Sequence, residues 1–199
     1  QVRKGERGTH IVFWSFPKIQ QDDGTFKAVP FAKGYVVFNT QQCDGLDAAK
    51  LKGMEPVVAG DTSINALAAR VGADVRHGGK KAFYTPEGDY VGMPTADSFA
   101  SPDAYAATLA HELVHWTGHK SRCDRQFGKR FGDDAYAFEE LVAEIGSAFV
   151  CAQMGIPLES LQHSSYIAAW LKVMKADKRA IFTASSQAKR SSEFLITKE

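Results

Sequence analysis

The segment LAHELVHWTGH, residues 109–119, constrains the fold more than any other stretch because it sets two histidines four positions apart. The preceding Ser-Pro-Asp, residues 101–103, provides a helix cap, a proline at the first helical position and an acidic side chain in the first turn. On such a helix His111 and His115 project from one face and can share a metal ion, with Glu112 beside them. The remaining face is apolar and is expected in a core.

An HExxH segment alone does not establish a metal site, because a catalytic zinc ion needs a third protein ligand and a water. His119 is the nearest candidate, but it lies roughly 6 Å further along the helix axis than His115, and Gly118 is expected to end the helix before it. The longer pattern HExxHxxGxxH requires a third histidine at position 121, where the chain has Ser121. That subclass is excluded, and the third ligand is expected from another element.

A second predicted helix, residues 134–154, carries an apolar stripe on one side and Glu140 and Glu144 among small residues on the other. No lysine or arginine occurs between positions 132 and 155, so these carboxylates repel each other unless a cation relieves them. We predict Glu140 as the third metal ligand, with Glu144 as an alternative ligand or as the carboxylate that orients a ligand histidine. The alternative is that both carboxylates are solvated or pair with arginines of the preceding loop, namely Arg122, Arg125 and Arg130.

If this site is catalytic, Glu112 is the general base, which takes a proton from a metal-activated water and passes it to the leaving amine. The developing oxyanion needs another donor, for which Tyr136, His163 and Tyr166 are candidates, each with the alternative of a packed or surface side chain. The extended segment 89–94 is expected to be an edge strand that pairs with a peptide substrate. One divalent ion is expected; zinc is the first expectation, and Mn²⁺ or Fe²⁺ suits the same ligands.

The rest of the chain predicts an α+β fold. Runs rich in β-branched and aromatic residues predict strands at 9–16 and 34–39, and residues 81–94 predict a hairpin. Apolar spacing predicts helices at 63–71, 164–175 and 178–195.

Composition excludes several classes of protein. With 44% hydrophobic and 24% charged residues, the 199-residue chain is typical of globular domains, and its net charge of +1 creates no strong field toward nucleic acid. The three cysteines are far apart and favour free thiols in a reducing compartment, and no run is apolar enough for a membrane span or a signal peptide. A soluble, cytoplasmic protein is expected. Because the chain starts with glutamine, we expect it to be part of something longer.

Three segments carry a family resemblance: AHELVHWTGH, then YAFEELVAEIGSAF, then HSSYIAAWL with DKRAIFTASSQA. They resemble the metallopeptidase-like domain of plasmid antirestriction proteins of the ArdC type, which is related to domains of conjugative plasmid primases and polyvalent phage proteins. The resemblance implies a zincin-like fold, in which a small amino-terminal sheet precedes a helical bundle, and a metal held by His111, His115 and a glutamate. It also implies protection of incoming conjugated DNA from restriction in the recipient cell.

Members of this family also carry a single-stranded DNA-binding module at the amino end. We therefore expect residues 1–20 to be the end of such a module, or the linker from it, and residues 21–199 to form the zincin-like domain. Charge and stacking make the amino-terminal residues Arg3, Lys4, Arg7, Phe13 and Trp14 a candidate single-strand contact, and the basic run 120–130 is another. For both, the alternative is an ordinary solvated surface.

Two functions remain open from the sequence. In the first, the chain is a metal-dependent peptidase that acts on a protein or peptide. In the second, it shields DNA and the metal only holds two helices together. Glu112 favours the first, because a purely structural site has no use for a carboxylate beside a metal-bound water. The oligomeric state is open.

Overall fold

The computed structural model describes residues 1–29, 31–46, 63–125, 134–157, 170–171, 174–175 and 177–197. The chain divides into two compact units, Gln1–Glu55 and Pro56–Glu199. The first unit extends beyond residue 20 because the chain returns to pair with the first strand, and the domain boundary expected at residue 20 stays a prediction. The assignment of the first residues to a DNA-binding module stays a prediction.

The first unit is built from two antiparallel hairpins. Strands β1 (Thr9–Ser15) and β4 (Phe31–Val37) pair along their full length, which confirms the two strands expected from the sequence. Between them, β2 (Lys18–Gln20) and β3 (Phe26–Ala28) form a smaller hairpin. This smaller hairpin was not predicted, because three-residue strands are too short to show an alternating pattern.

The second unit begins with helix α1 (Ile64–Val71). The side chain of Ser63 accepts a hydrogen bond from the Ala66 amide at the start of the helix, and Gly72 ends it in the left-handed conformation with φ 77°. The predicted helix at 63–71 is confirmed. Its apolar spacing buries one face in the core: Ile64, Leu67, Ala68 and Val71.

A three-stranded sheet follows, made of β5 (Asp74–His77), β6 (Phe83–Thr85) and β7 (Tyr90–Met93). Its order is β5-β7-β6; β5 runs parallel to β7, and β6 runs antiparallel to it. The β6–β7 hairpin confirms the prediction for 81–94. The expectation that 89–94 is an edge strand is wrong, because β5 covers the other side of β7. The short and polar sequence of β5 gave no strand signal.

Among the described residues of the second unit, three further helices have defined bounds, and all three agree with predicted segments. Helix α2 (Pro102–Thr117) is capped by Ser101, whose side chain accepts from the Ala104 amide. Helix α3 (Asp134–Met154) packs on α2, and α4 (Ala180–Thr197) packs on both. Most of the predicted helix at 164–175 lies outside the described residues.

The core of the second unit lies where α2 meets the sheet, α3 and α4. Leu109, Leu113 and Val114 of α2 are fully buried in it, as are Val91 and Met93 of β7. Helices α2 and α3 approach each other closely at Gly146, which has no side chain. A Cβ at this position would come within 2.9 Å of the Val114 side chain. All three cysteines are free thiols. Within the described part of the chain, every helix is too short or too polar to cross a membrane.

Candidate metal centre

Helices α2 and α3 bring together three side chains that could hold a metal ion, namely His111, His115 and Glu140. The Nε2 atoms of His111 and His115 are 3.1 Å apart, and the Glu140 carboxylate oxygens lie 3.4 Å and 3.6 Å from them. Four tetrahedral ligands about 2.0–2.1 Å from a zinc-sized ion are separated by roughly 3.3–3.4 Å. Both the spacing and the chemistry of these donors therefore fit a divalent metal ion.

Glu139, for which the sequence predicted no role, lies beside one of these histidines. The Nδ1 atom of His115 lies 3.1 Å from Glu139 Oε1, at hydrogen-bond distance. If Nδ1 donates to this carboxylate, Nε2 keeps a lone pair that faces the cluster, as in carboxylate–histidine–metal arrangements. Helical spacing could not single out Glu139, because it lies one position away from the face that carries Glu140 and Glu144.

Glu144 lies on the outer side of His111. Its Oε1 atom is 3.8 Å from His111 Nδ1, which is longer than a hydrogen bond. The Nδ1 atom is the ring nitrogen that points away from Glu140, so the geometry suits orientation of the histidine better than ligation. The role of Glu144 stays a prediction.

The electrostatics of the cluster favour a positive charge between its carboxylates. Burial lowers the pKa of His115, but hydrogen bonds with Glu139 and Glu140 outweigh burial and raise that pKa to about 10. Burial raises the pKa of Glu140, yet its contacts with His111 and His115 hold it well below the usual range. Carboxylates that stabilise a charged imidazole to this extent will also stabilise a metal cation in the same place.

Glu112 lies beside the three side chains and faces a cavity of about 250 Å³. It is 8% exposed, and the backbone amide of Tyr84 donates a hydrogen bond to its carboxylate. Burial raises the pKa of Glu112, so this carboxylate accepts a proton more readily than an exposed glutamate does. Glu112 and the three side chains therefore line one common cavity.

Strand β6 forms one wall of this cavity, with Phe83 and Tyr84 among the lining residues. Because β6 is the edge strand of the sheet, its outer backbone groups do not pair with β7. The sheet edge that borders the cavity is therefore β6 and not 89–94. Phe83 reaches its position because its cross-strand partner, Gly92, has no side chain, and a Cβ there would come within 2.6 Å of the Phe83 ring.

Two of the three loop arginines have partners other than Glu140 and Glu144. Arg122 pairs with Asp89 and lies over the Trp116 ring, with its guanidinium carbon 3.8 Å from the ring centroid. Arg125 pairs with Glu139 at 2.7 Å. The pairing considered as the alternative for Glu140 and Glu144 is thus absent for these two arginines, whereas Arg130 lies outside the described residues.

The other candidates fall into three groups. Tyr136 lines the cavity, whereas His163 and Tyr166 lie outside the described residues. His119 lies apart from the cluster, with its ring 2.8 Å from the hydroxyl of Ser121. No catalytic role of these side chains follows from position alone, and the roles of His163 and Tyr166 stay predictions.

The candidate DNA contacts lie in the first unit. Arg3 forms ion pairs with Glu6 at 3.2 Å and with Asp44 at 3.6 Å, so part of its charge is already balanced. Lys4 and Arg7 are exposed, and the ring of Phe13 is 52% exposed. The side chain of Trp14 lies outside the described ones. A nucleic-acid role of these residues stays a prediction.

Comparison with known proteins decides the family. Residues 62–187 match the family described as zincin-like metallopeptidase. The chain belongs to this family. The range matched by the metallopeptidase family spans α1, the three-stranded sheet, α2 and α3.

Solved and curated relatives extend this assignment. The chain has a TM-score of 0.72 and 40% identity to the metal-free structure of the antirestriction protein ArdC from plasmid R388, covering 98% of this chain and 71% of that one. The Mn(II)-bound structure of ArdC gives the same TM-score at 41% identity, with 100% and 72% covered. The expected ArdC resemblance and the zincin-like α+β fold are confirmed. A divalent metal is supported, and the choice of ion stays a prediction.

Two curated relatives are longer than this metallopeptidase-family chain. It is 39% identical to the uncharacterized protein y4eC of Sinorhizobium fredii, over 98% of this chain and 66% of that protein. It is 37% identical to the DNA primase TraC of Escherichia coli, over 100% of this chain and 20% of the primase. The chain therefore spans less than two thirds of either relative, and a module of this kind occurs within larger proteins.

Proposed function

We propose that this chain is the metal-dependent peptidase domain of an antirestriction protein and that it hydrolyses a peptide bond in a protein substrate. One observation carries the proposal: the buried Glu112 carboxylate faces a cavity beside the cluster of His111, His115 and Glu140. Among the described residues, these three are the only group of ligand side chains with such spacing. A structural zinc site would be closed by a fourth protein ligand.

The chemistry divides between the ion and the chain. A divalent ion held by the three side chains would polarise a carbonyl and lower the pKa of a coordinated water. Glu112 takes a proton from the attacking water and then donates it to the leaving amine nitrogen, so that the proton is conserved. Tyr136 lines the same cavity and is the described candidate for a hydrogen bond to the oxyanion.

The edge strand β6 provides a binding surface for the substrate backbone. An extended peptide can add to the edge of a sheet through main-chain hydrogen bonds. Phe83 and Pro86 line the cavity at this edge and offer apolar contacts to substrate side chains. This arrangement supports a protein or peptide as the substrate class.

The antirestriction role rests on similarity to ArdC, a protein described as antirestriction. The role would place the chain in the cytoplasm of the cell that receives the DNA. A second function, binding of single-stranded DNA, is favoured by one observation in the first unit: aromatic side chains are well exposed there. Phe13 is 52% exposed and Phe26 is 66% exposed, and bases stack on such rings.

Replacing Glu112 tests the peptidase proposal. We expect Glu112→Gln to keep the metal, by elemental analysis, and to lower cleavage of a peptide library by roughly 10²- to 10⁴-fold, because the proton acceptor is lost. Protection of conjugated DNA from restriction should fall with it. Glu87→Gln is the matched control, because Glu87 is an exposed carboxylate on the β6–β7 turn. Full protection by metal-loaded Glu112→Gln would overturn the peptidase role and favour DNA shielding.

A further inference from the structure

Arg125 lies behind His115, with its side chain only 4% exposed. Its Nε and Nη2 atoms donate to the two oxygens of Glu139 at 2.9 Å and 2.7 Å. Nη1 donates to the hydroxyls of Thr117 and Ser191 at 2.8 Å and 2.7 Å, and Nη2 also donates to the Val114 carbonyl at 2.7 Å. All five N–H groups of the guanidinium therefore have an acceptor. The group cannot rotate without breaking several of these bonds.

The position of Arg125 fixes the direction of the neighbouring hydrogen bonds. A guanidinium only donates hydrogen bonds, so both Glu139 oxygens act as acceptors from it. Glu139 Oε1 also lies 3.1 Å from His115 Nδ1, which must then carry the proton. With Nδ1 bonded to Glu139, Nε2 is the ring nitrogen left for a cation, and it faces His111 and Glu140.

We propose that Arg125 is a positioning residue of the metal centre, which acts through Glu139 to hold His115 in the tautomer and ring orientation that a divalent cation needs. Arg125 itself does not contact the metal ligands. Its bond to Ser191 extends the chain of contacts to α4, so the packing of α4 contributes to metal affinity.

Arg122 provides a matched comparison in the same loop. It too is a shielded arginine, with an 8% exposed side chain, and it pairs with the carboxylate of Asp89. Asp89 also accepts a hydrogen bond from Tyr84, so the partners recorded for it among the described residues are Arg122 and Tyr84 rather than His111, His115 or Glu140. Loss of Arg122 therefore removes a similar ion pair without releasing a ligand histidine.

The test measures metal affinity rather than turnover. Purified Arg125→Met, Arg122→Met and wild-type chains are titrated with Mn²⁺ and with Zn²⁺ against a fluorescent chelator, and folding is checked by circular dichroism. We expect Arg125→Met to weaken metal binding by roughly 10- to 100-fold, the range for residues that orient metal ligands. Arg122→Met should change it by less than about threefold. Unchanged affinity in folded Arg125→Met would overturn the proposal.

A double variant shows whether Arg125 acts through Glu139. We expect Arg125→Met combined with Glu139→Gln to bind metal about as weakly as Glu139→Gln alone, because both changes release His115. Additive losses would contradict that route. The visible spectrum of bound Co²⁺ gives a second readout, since a displaced His115 changes the coordination geometry.

Milder variants keep the test decisive if Arg125→Met does not fold. Arg125→Lys retains the charge without the two parallel bonds to Glu139 and should recover part of the affinity. Ser191→Ala removes one bond to Arg125 and should weaken metal binding by roughly threefold. Wild-type affinity in both variants would count against the proposal.

The inference rests on the metal site of the proposed function and not on peptide hydrolysis. A wild-type chain that binds neither Mn²⁺ nor Zn²⁺ would contradict the site itself. Tight binding by wild type with no loss in the Arg125 variants would contradict only the role of Arg125.

Discussion

The two histidines of the candidate metal centre differ in burial and in how closely a neighbouring carboxylate holds them. His115 is 10% exposed and lies at hydrogen-bond distance from Glu139, whereas His111 is 17% exposed and its outer nitrogen is 3.8 Å from Glu144. We call the side of His115, which lies between α2, α3 and Arg125, the closed half of the site. The side of His111 and Glu112, which borders β6, is the open half. Under the proposed function, the closed half would fix the position of a metal ion, whereas the open half would leave room for a reacting group.

A methyl group at Gly146 should destabilise the packing between α2 and α3 in the closed half. The new Cβ in Gly146→Ala would lie 2.9 Å from the side chain of the fully buried Val114, next to His115. Overpacking costs about 1–3 kcal/mol, which the better helix propensity of alanine offsets by up to about 1 kcal/mol. We expect a lower free energy of unfolding in urea. Gly34→Ala is the control, because a Cβ there meets nothing within 4 Å; equal effects would contradict close packing.

Two substitutions compare how strongly the neighbouring carboxylates hold the two histidines. Glu139→Gln should weaken metal binding by roughly 10- to 100-fold, because its amide no longer specifies the proton on His115 Nδ1. Glu144→Gln should weaken it by less than about fivefold, since its contact with His111 is longer and closer to an ordinary ion pair. Chelator competition measures both. Equal losses would show that the two histidines are held alike.

The smallest effect is expected at the hairpin of the open half. Arg122 lowers the pKa of Asp89 through a hydrogen bond, so ionised Asp89 stabilises the folded chain above its ordinary pKa, and that contribution is lost as the pH falls through the lowered value. Because Asp89 is partly exposed, Asp89→Asn should cost less than about 1 kcal/mol near neutral pH. The difference in melting temperature from wild type should shrink below about pH 4. A difference independent of pH would exclude the ion pair as its cause.

Local periodicity predicts the parts of the site that lie on single helices. The spacing of His111 and His115, and of Glu140 and Glu144, follows from 3.6 residues per turn, and the caps at Ser63 and Ser101 mark helix starts. Strands β1, β4, β6 and β7 were predicted from their β-branched and aromatic residues. These features depend on neighbours in sequence, so the sequence alone is sufficient for them.

Features that depend on distant pairing were missed. Glu139 matters because Arg125 arrives from a loop 14 positions earlier, and no helical pattern encodes that contact. The edge of the sheet was assigned to 89–94 because β5, with its polar sequence, was not recognised as a partner of β7. Three-residue strands and tertiary ion pairs are decided by packing, which single-sequence patterns do not contain.

The hydrogen bond from the Tyr84 amide to Glu112 joins the strand that would receive a peptide to the group that would take the proton. Under the proposed function, a peptide docked on β6 would therefore lie directly beside the group that takes the proton.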